Sequence, residues 1–318
     1  MERTRAQETM SNTVQASDPR HPLRRVDVGA GHALWSLRPY DHDGRPNPQA
    51  LTALQTLLRE GGASTHRVIL GLDGEAWGPS EERCRLTRGL LELMALHGGV
   101  DLQIHTRTSL VARDADLLRR LSTIGRVTVS FTLATLDERM NRWLEPGAPS
   151  ALRRLMAMQG LAHTGVVVGL RLSPVLPCMT GESLAALLER AAHAGARFVE
   201  MGEVGLTPAE ARGLRARAEA GERLPRGLTR LTFRKGELEA LRATWVERCL
   251  SVGLLPLDAE PGGAGDAPSA PLPVPPPVAE VLPEPAAHRA TPRARGTRPY
   301  SAARCGRGDG GLQLALFG

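Results

Sequence analysis

Residues 144–155, Leu-Glu-Pro-Gly-Ala-Pro-Ser-Ala-Leu-Arg-Arg-Leu, place one carboxylate and two arginines around a loop that contains two prolines. Proline rings restrict the backbone of such a loop. The planar guanidinium of arginine pairs with a carboxylate or a phosphate through two parallel hydrogen bonds. We therefore expect Glu145 and Arg153 to border a site for a small charged ligand. At least one of Arg153 and Arg154 is expected on the exposed face of the following helix.

Other polar residues fall where predicted strands end. Ser130 and Thr132 alternate with Phe131 and Leu133, so the two hydroxyls share one face of a strand whose other face is apolar. Buried parallel strands usually carry apolar residues on both faces, which makes the hydroxyls candidate ligand contacts. The alternative is that they bond only to neighbouring backbone. The remaining candidates at strand ends are Asp73, Glu75, Trp77, His105, Thr106, Arg107, Arg171, Ser173, Glu200 and Glu203.

Three of these candidates have a simpler interpretation. His105 has no histidine or aspartate partner at metal-ligand spacing, which favours a structural role over metal binding. Glu200 and Glu203 are more typical of solvated loop carboxylates than of an acid pair.

The core contains no glycine-rich nucleotide-phosphate motif and no Gly-x-Ser-x-Gly motif. These absences argue against a nucleotide-phosphate loop and against a hydrolase nucleophile elbow.

Apolar, β-branched runs alternate with amphipathic helical patterns and position these candidates. An earlier unit precedes them near residues 32–62, and a last helix is predicted near 235–253. The alternation predicts five or six βα units around a parallel sheet. Both a closed barrel and an open doubly wound sheet gather functional residues at the carboxyl ends of the strands. The predicted strand runs are 66–72, 99–106, 126–133, 165–176 and 196–204, and the predicted helix N-caps include Asp114, Ser150 and Thr207.

The composition predicts one large domain with appendages, because the 318 residues are 42% hydrophobic. We expect a disordered arm over 1–24, the βα domain over 25–255, and a disordered linker rich in Pro, Ala and Gly over 256–311. The formal net charge is +6, and Lys235 is the only lysine, so arginine supplies the basic character. The four scattered cysteines and the lack of a long apolar run predict a cytoplasmic protein without membrane association. We expect a monomer.

Several ordered stretches resemble motifs of one superfamily. Residues 69–94 place an acid and an aromatic before an Arg-Leu-Thr-Arg helix, and residues 104–118 contain Thr-Arg-Thr-Ser followed by Arg-Asp. Residues 130–155 contain Leu-Asp-Glu and then Leu-Glu-Pro-x-x-Pro-Ser, and residues 169–182 contain a Pro-Val-x-Pro turn. On these motifs the chain resembles the radical S-adenosylmethionine (radical SAM) superfamily, in the branch similar to spore photoproduct lyase.

The resemblance implies a partial (βα)6 TIM-like barrel that holds S-adenosylmethionine across its strand ends. Glu75 stands where the family has an Asp, Trp77 where it has a Tyr, and Arg107 where it has a Lys. The residues expected to contact the cofactor are Ser130, Thr132, Glu145, Arg153, Arg171, Glu75, Thr106 and Arg107.

The family's defining ligands are three cysteines, spaced Cys-x-x-x-Cys-x-x-Cys after the first strand. They bind a 4Fe–4S cluster that reductively cleaves S-adenosylmethionine. Residues 26–49, where the motif is expected, contain no cysteine, and thiolates are the ligands of such clusters. We expect a barrel that has lost cluster-dependent chemistry and acts as a binding or accessory protein associated with DNA repair. Two alternatives stay open: an active radical SAM enzyme with atypical cluster ligation, and an unrelated metabolite-binding βα barrel.

The chain ends in the apolar peptide Gln-Leu-Ala-Leu-Phe, residues 313–317. It resembles the peptide with which bacterial DNA repair and replication proteins dock on the β sliding clamp. On that resemblance Gln313 orients the peptide and Leu316 and Phe317 fill an apolar pocket, with Leu314 beside them. The alternative is that the tail packs on the barrel. Nearby arginines are expected to add weak, salt-sensitive contact with nucleic acid; they are Arg289, Arg293, Arg295 and Arg298.

Overall fold

The computed structural model describes residues 21–27, 33–41, 43–60, 66–179, 181–223, 225, 228 and 230–258. The predicted arm up to residue 20 lies outside the described residues. The predicted linker beyond residue 258 and the peptide 312–318 also lie outside them. In the part of the chain that is described, no helix has the length and hydrophobicity that a membrane span requires.

One eight-stranded sheet forms the centre of the described chain, and its strands are ordered as they occur in the sequence. The first two strands are antiparallel, and every later neighbouring pair is parallel. This mostly parallel sheet confirms the predicted α/β class. The strands are β1 Leu23–Asp27, β2 Ala33–Leu37, β3 His66–Leu70, β4 Val100–Thr106, β5 Arg126–Thr132, β6 Val167–Leu172, β7 Phe198–Met201 and β8 Leu255–Asp258.

Helices follow each of the strands β2 to β7, so six consecutive βα units are present in the described chain. A 3-10 helix, Leu110–Asp114, precedes the helix after β4. The α-helices are α1 Ala50–Glu60, α2 Pro79–Cys84, α3 Leu86–His97, α4 Ala115–Ile124, α5 Glu138–Leu144, α6 Ala151–His163, α7 Gly181–His193, α8 Pro208–Glu219 and α9 Glu237–Ser251.

The sheet extends slightly beyond the predicted limits of 25–255. Leu23 and Arg24 pair with β2, although the arm was predicted to continue through residue 24. At the other end, Pro256–Asp258 pair with β7, although the linker was predicted to begin at 256. The first segment pairs with the antiparallel strand β2, and the second pairs with β7, which is distant in the sequence. Local composition does not predict such pairing.

The two faces of the central strands differ in polarity. Leu102 and Ile104 of β4 are fully buried in the main apolar core. His105 alternates with them and is buried on the other face. It lies in register with Ser130 of β5, and Glu200 of β7 continues the same buried polar face. A parallel sheet therefore carries a row of buried polar side chains on the face away from its main core.

Two of the three predicted helix caps have the expected hydrogen bonds. The Ser150 hydroxyl accepts a hydrogen bond from the backbone of Arg153, and Thr207 forms a capping box with Glu210. Asp114 occupies the N-cap position of α4 but makes no capping hydrogen bond. Its fully buried carboxylate instead accepts a hydrogen bond from the Trp77 indole at 2.9 Å. The predicted N-cap position of Asp114 is confirmed, but tertiary partners replace the capping hydrogen bond.

A second buried carboxylate, Glu81 on α2, connects three separate segments. It accepts hydrogen bonds from the Tyr40 hydroxyl at 2.5 Å and from the Thr87 backbone at 2.8 Å. The Arg113 guanidinium donates to it at 2.6 Å and also contacts Asp114 at 2.8 Å. Because Glu81 is fully buried, these donors compensate for the loss of its hydration. The loops after β2, β3 and β4 are thereby held together.

We expect Glu81→Gln to lower the free energy of unfolding by about 3–5 kcal/mol, because it leaves buried donors without an anionic acceptor. Urea unfolding followed by circular dichroism measures this change. The matched control is Glu82→Gln, which alters an exposed neighbour on the same helix and is expected to change stability by less than about 0.5 kcal/mol. Equal effects of the two substitutions would contradict the assigned role of Glu81.

Candidate functional site

A pocket opens where the carboxyl ends of the parallel strands meet, the edge at which the sequence analysis predicts functional residues. Strands β3 to β7 all contribute, each through residues at or just beyond its end. Charged and hydroxyl side chains dominate its wall. The residues that line it are Gly71, Leu72, Gly74, Glu75, His105, Thr106, Arg107, Thr132, Arg171, Ser173 and Glu203.

Glu75 fixes the loop after β3 to the end of β4. One carboxylate oxygen accepts hydrogen bonds from the Trp77 backbone at 2.9 Å and the Thr106 hydroxyl at 3.0 Å. The other accepts the Arg107 backbone N–H at 2.7 Å. Burial raises the pKa of Glu75, although these donors and the Arg107 charge act in the opposite direction. Both oxygens of the Glu75 carboxylate are thus occupied by protein donors, and the side chain forms part of the pocket wall.

Close approach of the loop after β3 to the end of β4 makes Gly71 necessary beside the pocket. Its φ is +89°, and a Cβ at this position would lie 1.8 Å from the carbonyl oxygen of His105. A side chain is therefore excluded both by the backbone conformation and by the neighbouring strand. The glycine allows the β3 loop to pack directly on the end of β4.

Arg107 connects the pocket to the Leu-Glu-Pro loop. Its Nε lies 3.2 Å from Oε1 of Glu145, and one Nη lies 3.8 Å from Glu210 at the start of α8. The other carboxylate oxygen of Glu145 lies 2.5 Å from the guanidinium of Arg154. Arg154 is almost completely buried and also donates to the carbonyl of Thr132 at 2.8 Å. This chain of charges holds the loop against the end of β5.

Glu200 is the centre of the buried polar row below the pocket. Ser130 donates to it at 3.1 Å and Arg171 at 3.3 Å, and Nε2 of His105 lies 3.4 Å away. Arg171 also donates to Glu203 at 2.9 Å. Strands β4, β5, β6 and β7 each supply one member of this cluster, so its geometry follows from the register of the sheet.

Two titratable groups of this cluster, Glu203 and His105, have pKa values below their ordinary values. Burial raises the pKa of Glu203, but the Arg171 charge and the Ser173 hydroxyl outweigh this effect and lower the pKa to about 2. Burial lowers the pKa of His105, which the Glu200 carboxylate opposes. At neutral pH, Glu203 is therefore an anion and His105 a neutral imidazole.

Five of the eight expected cofactor contacts line the pocket: Glu75, Thr106, Arg107, Thr132 and Arg171. Ser130 lies beneath the pocket, bonded to Glu200. Glu145 is buried behind Arg107. Arg153 is exposed on α6 and is not among the lining residues. The expected partner-binding residues, Gln313, Leu314, Leu316 and Phe317, lie outside the described residues.

Sequence reasoning favoured the wrong one of the two adjacent arginines for a position near the site. Helical spacing in the sequence could have identified Arg154 as the buried arginine. It shares one helix face with three apolar residues, Leu155, Met158 and Leu161. Arg153 lies outside this stripe. The prediction of a solvated loop position was wrong for Glu200, which is buried in β7 and meets His105 only through the register of the sheet. Glu203 is exposed, as predicted.

We expect Arg154→Ala to lower the free energy of unfolding by about 3–5 kcal/mol, because it leaves the buried Glu145 carboxylate with only the partly exposed Arg107 as partner. The adjacent substitution Arg153→Ala is the matched control and is expected to change stability by less than about 0.5 kcal/mol. Urea unfolding of both variants measures the difference. Indistinguishable unfolding midpoints would contradict the assignment of Arg154 as the residue that anchors the loop.

Metal ligation is not prearranged in the described residues. They contain no group of three or more His, Cys, Asp or Glu side chains placed to hold a metal ion. Cys84 and Cys249 pack in the main apolar core, whereas Cys178 packs against a smaller cluster around Trp143 and Leu176.

About two fifths of the sequence is similar to curated proteins. An uncharacterized protein of Mycobacterium tuberculosis is 32% identical over 134 residues, which are 42% of this chain and 39% of the relative. An uncharacterized protein of Methanocaldococcus jannaschii is 28% identical over 111 residues, 35% of this chain and 41% of the relative. The chain thus spans less than half the length of the curated relatives that it matches. No family model matches the chain.

The fold of the described residues is similar to that of a solved protein. A cysteine-to-serine mutant of spore photoproduct lyase superposes with a TM-score of 0.52 and 16% identity, over 66% of each chain. At this identity the likeness concerns the fold alone. The described chain has a mostly parallel α/β fold similar to that of spore photoproduct lyase, with its pocket at the carboxyl ends of the strands.

Proposed function

We propose that this chain is a radical-SAM-like protein that binds S-adenosylmethionine at the strand ends, has lost 4Fe–4S-dependent chemistry, and acts as a binding or accessory protein. The observation that carries the proposal is the pocket itself. It presents charged side chains of both signs at the edge of a fold shared with spore photoproduct lyase. Because residues 26–49 contain no cysteine to hold a 4Fe–4S cluster, the proposal includes ligand binding but no radical chemistry.

The charges of the pocket suit a ligand that is a zwitterion with additional positive charge. S-adenosylmethionine carries a carboxylate, an ammonium and a sulfonium group. Guanidinium groups are suited to the carboxylate, and carboxylates to the two cations. The acidic groups in or beside the pocket outnumber the basic ones: they are Glu75, Glu145, Glu200, Glu203 and Glu210, against Arg107, Arg154 and Arg171. This excess favours a ligand with net positive charge.

The residues after β2 do not fit a 4Fe–4S cluster. They include no thiolate donor, and the described part of the loop, residues 38–41 and 43–47, is closed by its own hydrogen bonds. The Asp41 carboxylate accepts the backbone N–H groups of Asp43 and Arg45 at 2.9 and 2.8 Å. The Tyr40 hydroxyl is bonded to the buried Glu81. The polar groups of this loop are therefore bonded within the protein.

Calorimetric titration of the iron-free protein tests the proposal. We expect S-adenosylmethionine to bind with one site per chain, and S-adenosylhomocysteine, which lacks the sulfonium charge, to bind about tenfold more weakly, or ~1.4 kcal/mol. Glu203→Gln removes an anion from the pocket wall and is expected to weaken S-adenosylmethionine binding by a similar factor. The matched control, Glu219→Gln on the exposed part of α8, is expected to bind like the unmodified protein.

Two results would overturn this account. The absence of any binding heat would favour an unrelated metabolite-binding barrel. Binding that appears only after an iron–sulfur cluster has been reconstituted would favour an active enzyme with atypical ligation.

We also propose that the C-terminal peptide docks on a bacterial sliding clamp and associates the barrel with DNA repair. Its support is the Gln-Leu-Ala-Leu-Phe sequence at residues 313–317. Deletion of 312–318 is expected to abolish capture by the purified clamp, whereas Ala315→Ser, which keeps the resemblance, is expected to preserve it. Unchanged capture after the deletion would contradict the proposal.

A further inference from the structure

His105 is a buried histidine of the pocket wall, with a carboxylate beside one of its two ring nitrogens. The residue is 7% exposed and lines the pocket. Its Nε2 faces a carboxylate oxygen of Glu200 at 3.4 Å, whereas Nδ1 has no hydrogen-bond partner among the described residues. A carboxylate beside one ring nitrogen favours the tautomer with the proton on that nitrogen, which leaves a lone pair on the other.

The carboxylate that faces His105 is itself firmly held. Ser130 donates to one oxygen of Glu200, and Arg171 donates to the other. Glu200 is 6% exposed, so solvent does not compete strongly for it. A neutral imidazole that lies beside a fixed carboxylate is an arrangement suited to a general base.

We propose that His105 and Glu200 form a proton-transfer site, in which Nδ1 of His105 removes a proton from a carbon next to a cationic sulfur of the bound ligand. The ligand class rests on the proposed function, which places a sulfonium compound in this pocket. Glu200 is the positioning residue of the pair. The reaction requires neither a metal cluster nor an external oxidant or reductant.

The proton transfer is reversible, and no group leaves the ligand other than the exchanged proton. The C–H bond breaks, its electron pair stays on carbon as a sulfonium ylide, and the proton forms an N–H bond at Nδ1. The imidazolium is stabilised by the Glu200 carboxylate. Exchange of that proton with solvent and its return to carbon regenerate the ligand, so the net reaction in deuterated water is replacement of hydrogen by deuterium.

The groups that face His105 determine how the reaction depends on pH. Glu200 on β7 and Glu203 beyond it favour the protonated ring, whereas Arg171 on β6 and burial favour the neutral ring. Burial prevails, and the pKa lies below 6.5. The protein-dependent exchange rate is expected to rise with pH through this low pKa and to level off near neutrality.

The experiment incubates the full chain with S-adenosylmethionine in deuterated buffer and follows, by proton NMR, the signals of the three carbons bonded to sulfur. We expect exchange about 100-fold faster than in buffer alone. His105→Gln is expected to return the rate to that of buffer, and Glu200→Gln to lower it about tenfold. His163→Gln, at an exposed position of α6, is the control and is expected to leave the rate unchanged.

A second measurement separates positioning from misfolding. In the Glu200→Gln variant, the NMR titration of the His105 ring is expected to show a further lowered pKa, because the carboxylate no longer favours the protonated form. An unchanged pKa would overturn the pairing. Calorimetric binding of S-adenosylmethionine without exchange above buffer would overturn this inference alone. The absence of binding would overturn the proposed function, and the inference with it.

Discussion

The buried carboxylate of Glu200 is the constraint on which the arrangement of this site depends. A carboxylate that is removed from water inside a sheet has to be compensated by donors and positive charge. Three neighbouring strands supply these groups as Ser130, Arg171 and His105. Arg171 binds both the buried Glu200 and Glu203 at the pocket. The guanidinium that compensates the buried charge therefore also positions a charged group of the pocket wall. The interior of the sheet and the wall of the pocket are therefore one connected network.

A second set of interactions holds the loops that surround the pocket. The loop after β3 is held by Glu75 and by the close contact at Gly71, and the Leu-Glu-Pro loop is held by Arg154. Most of the pocket's charged groups already have protein partners before any ligand binds. Such preorganisation lowers the entropic cost of ligand binding. Because these partners belong to the protein itself, the wall of the pocket has its shape without a bound ligand.

The sequence predicted the parallel sheet, its strand ends and the main pocket residues, because βα alternation and polar strand-end residues are local signals. It did not predict the partners of Asp114 and His105, since these partners come from other elements. Asp114 binds an indole from the β3 loop instead of capping its helix. His105 meets its carboxylate only through the register of four strands. The choice between Arg153 and Arg154 was a different error, because the helical period already contained the answer.

The central proposal is that this pocket binds its ligand without an iron–sulfur cluster. Iron and acid-labile sulfide, counted after anaerobic reconstitution and removal of unbound metal, test it most directly. The account predicts well under one iron per chain, because the loop after β2 supplies no thiolate. About four irons per chain, with matching sulfide, would contradict it and would identify a cluster ligated by other residues.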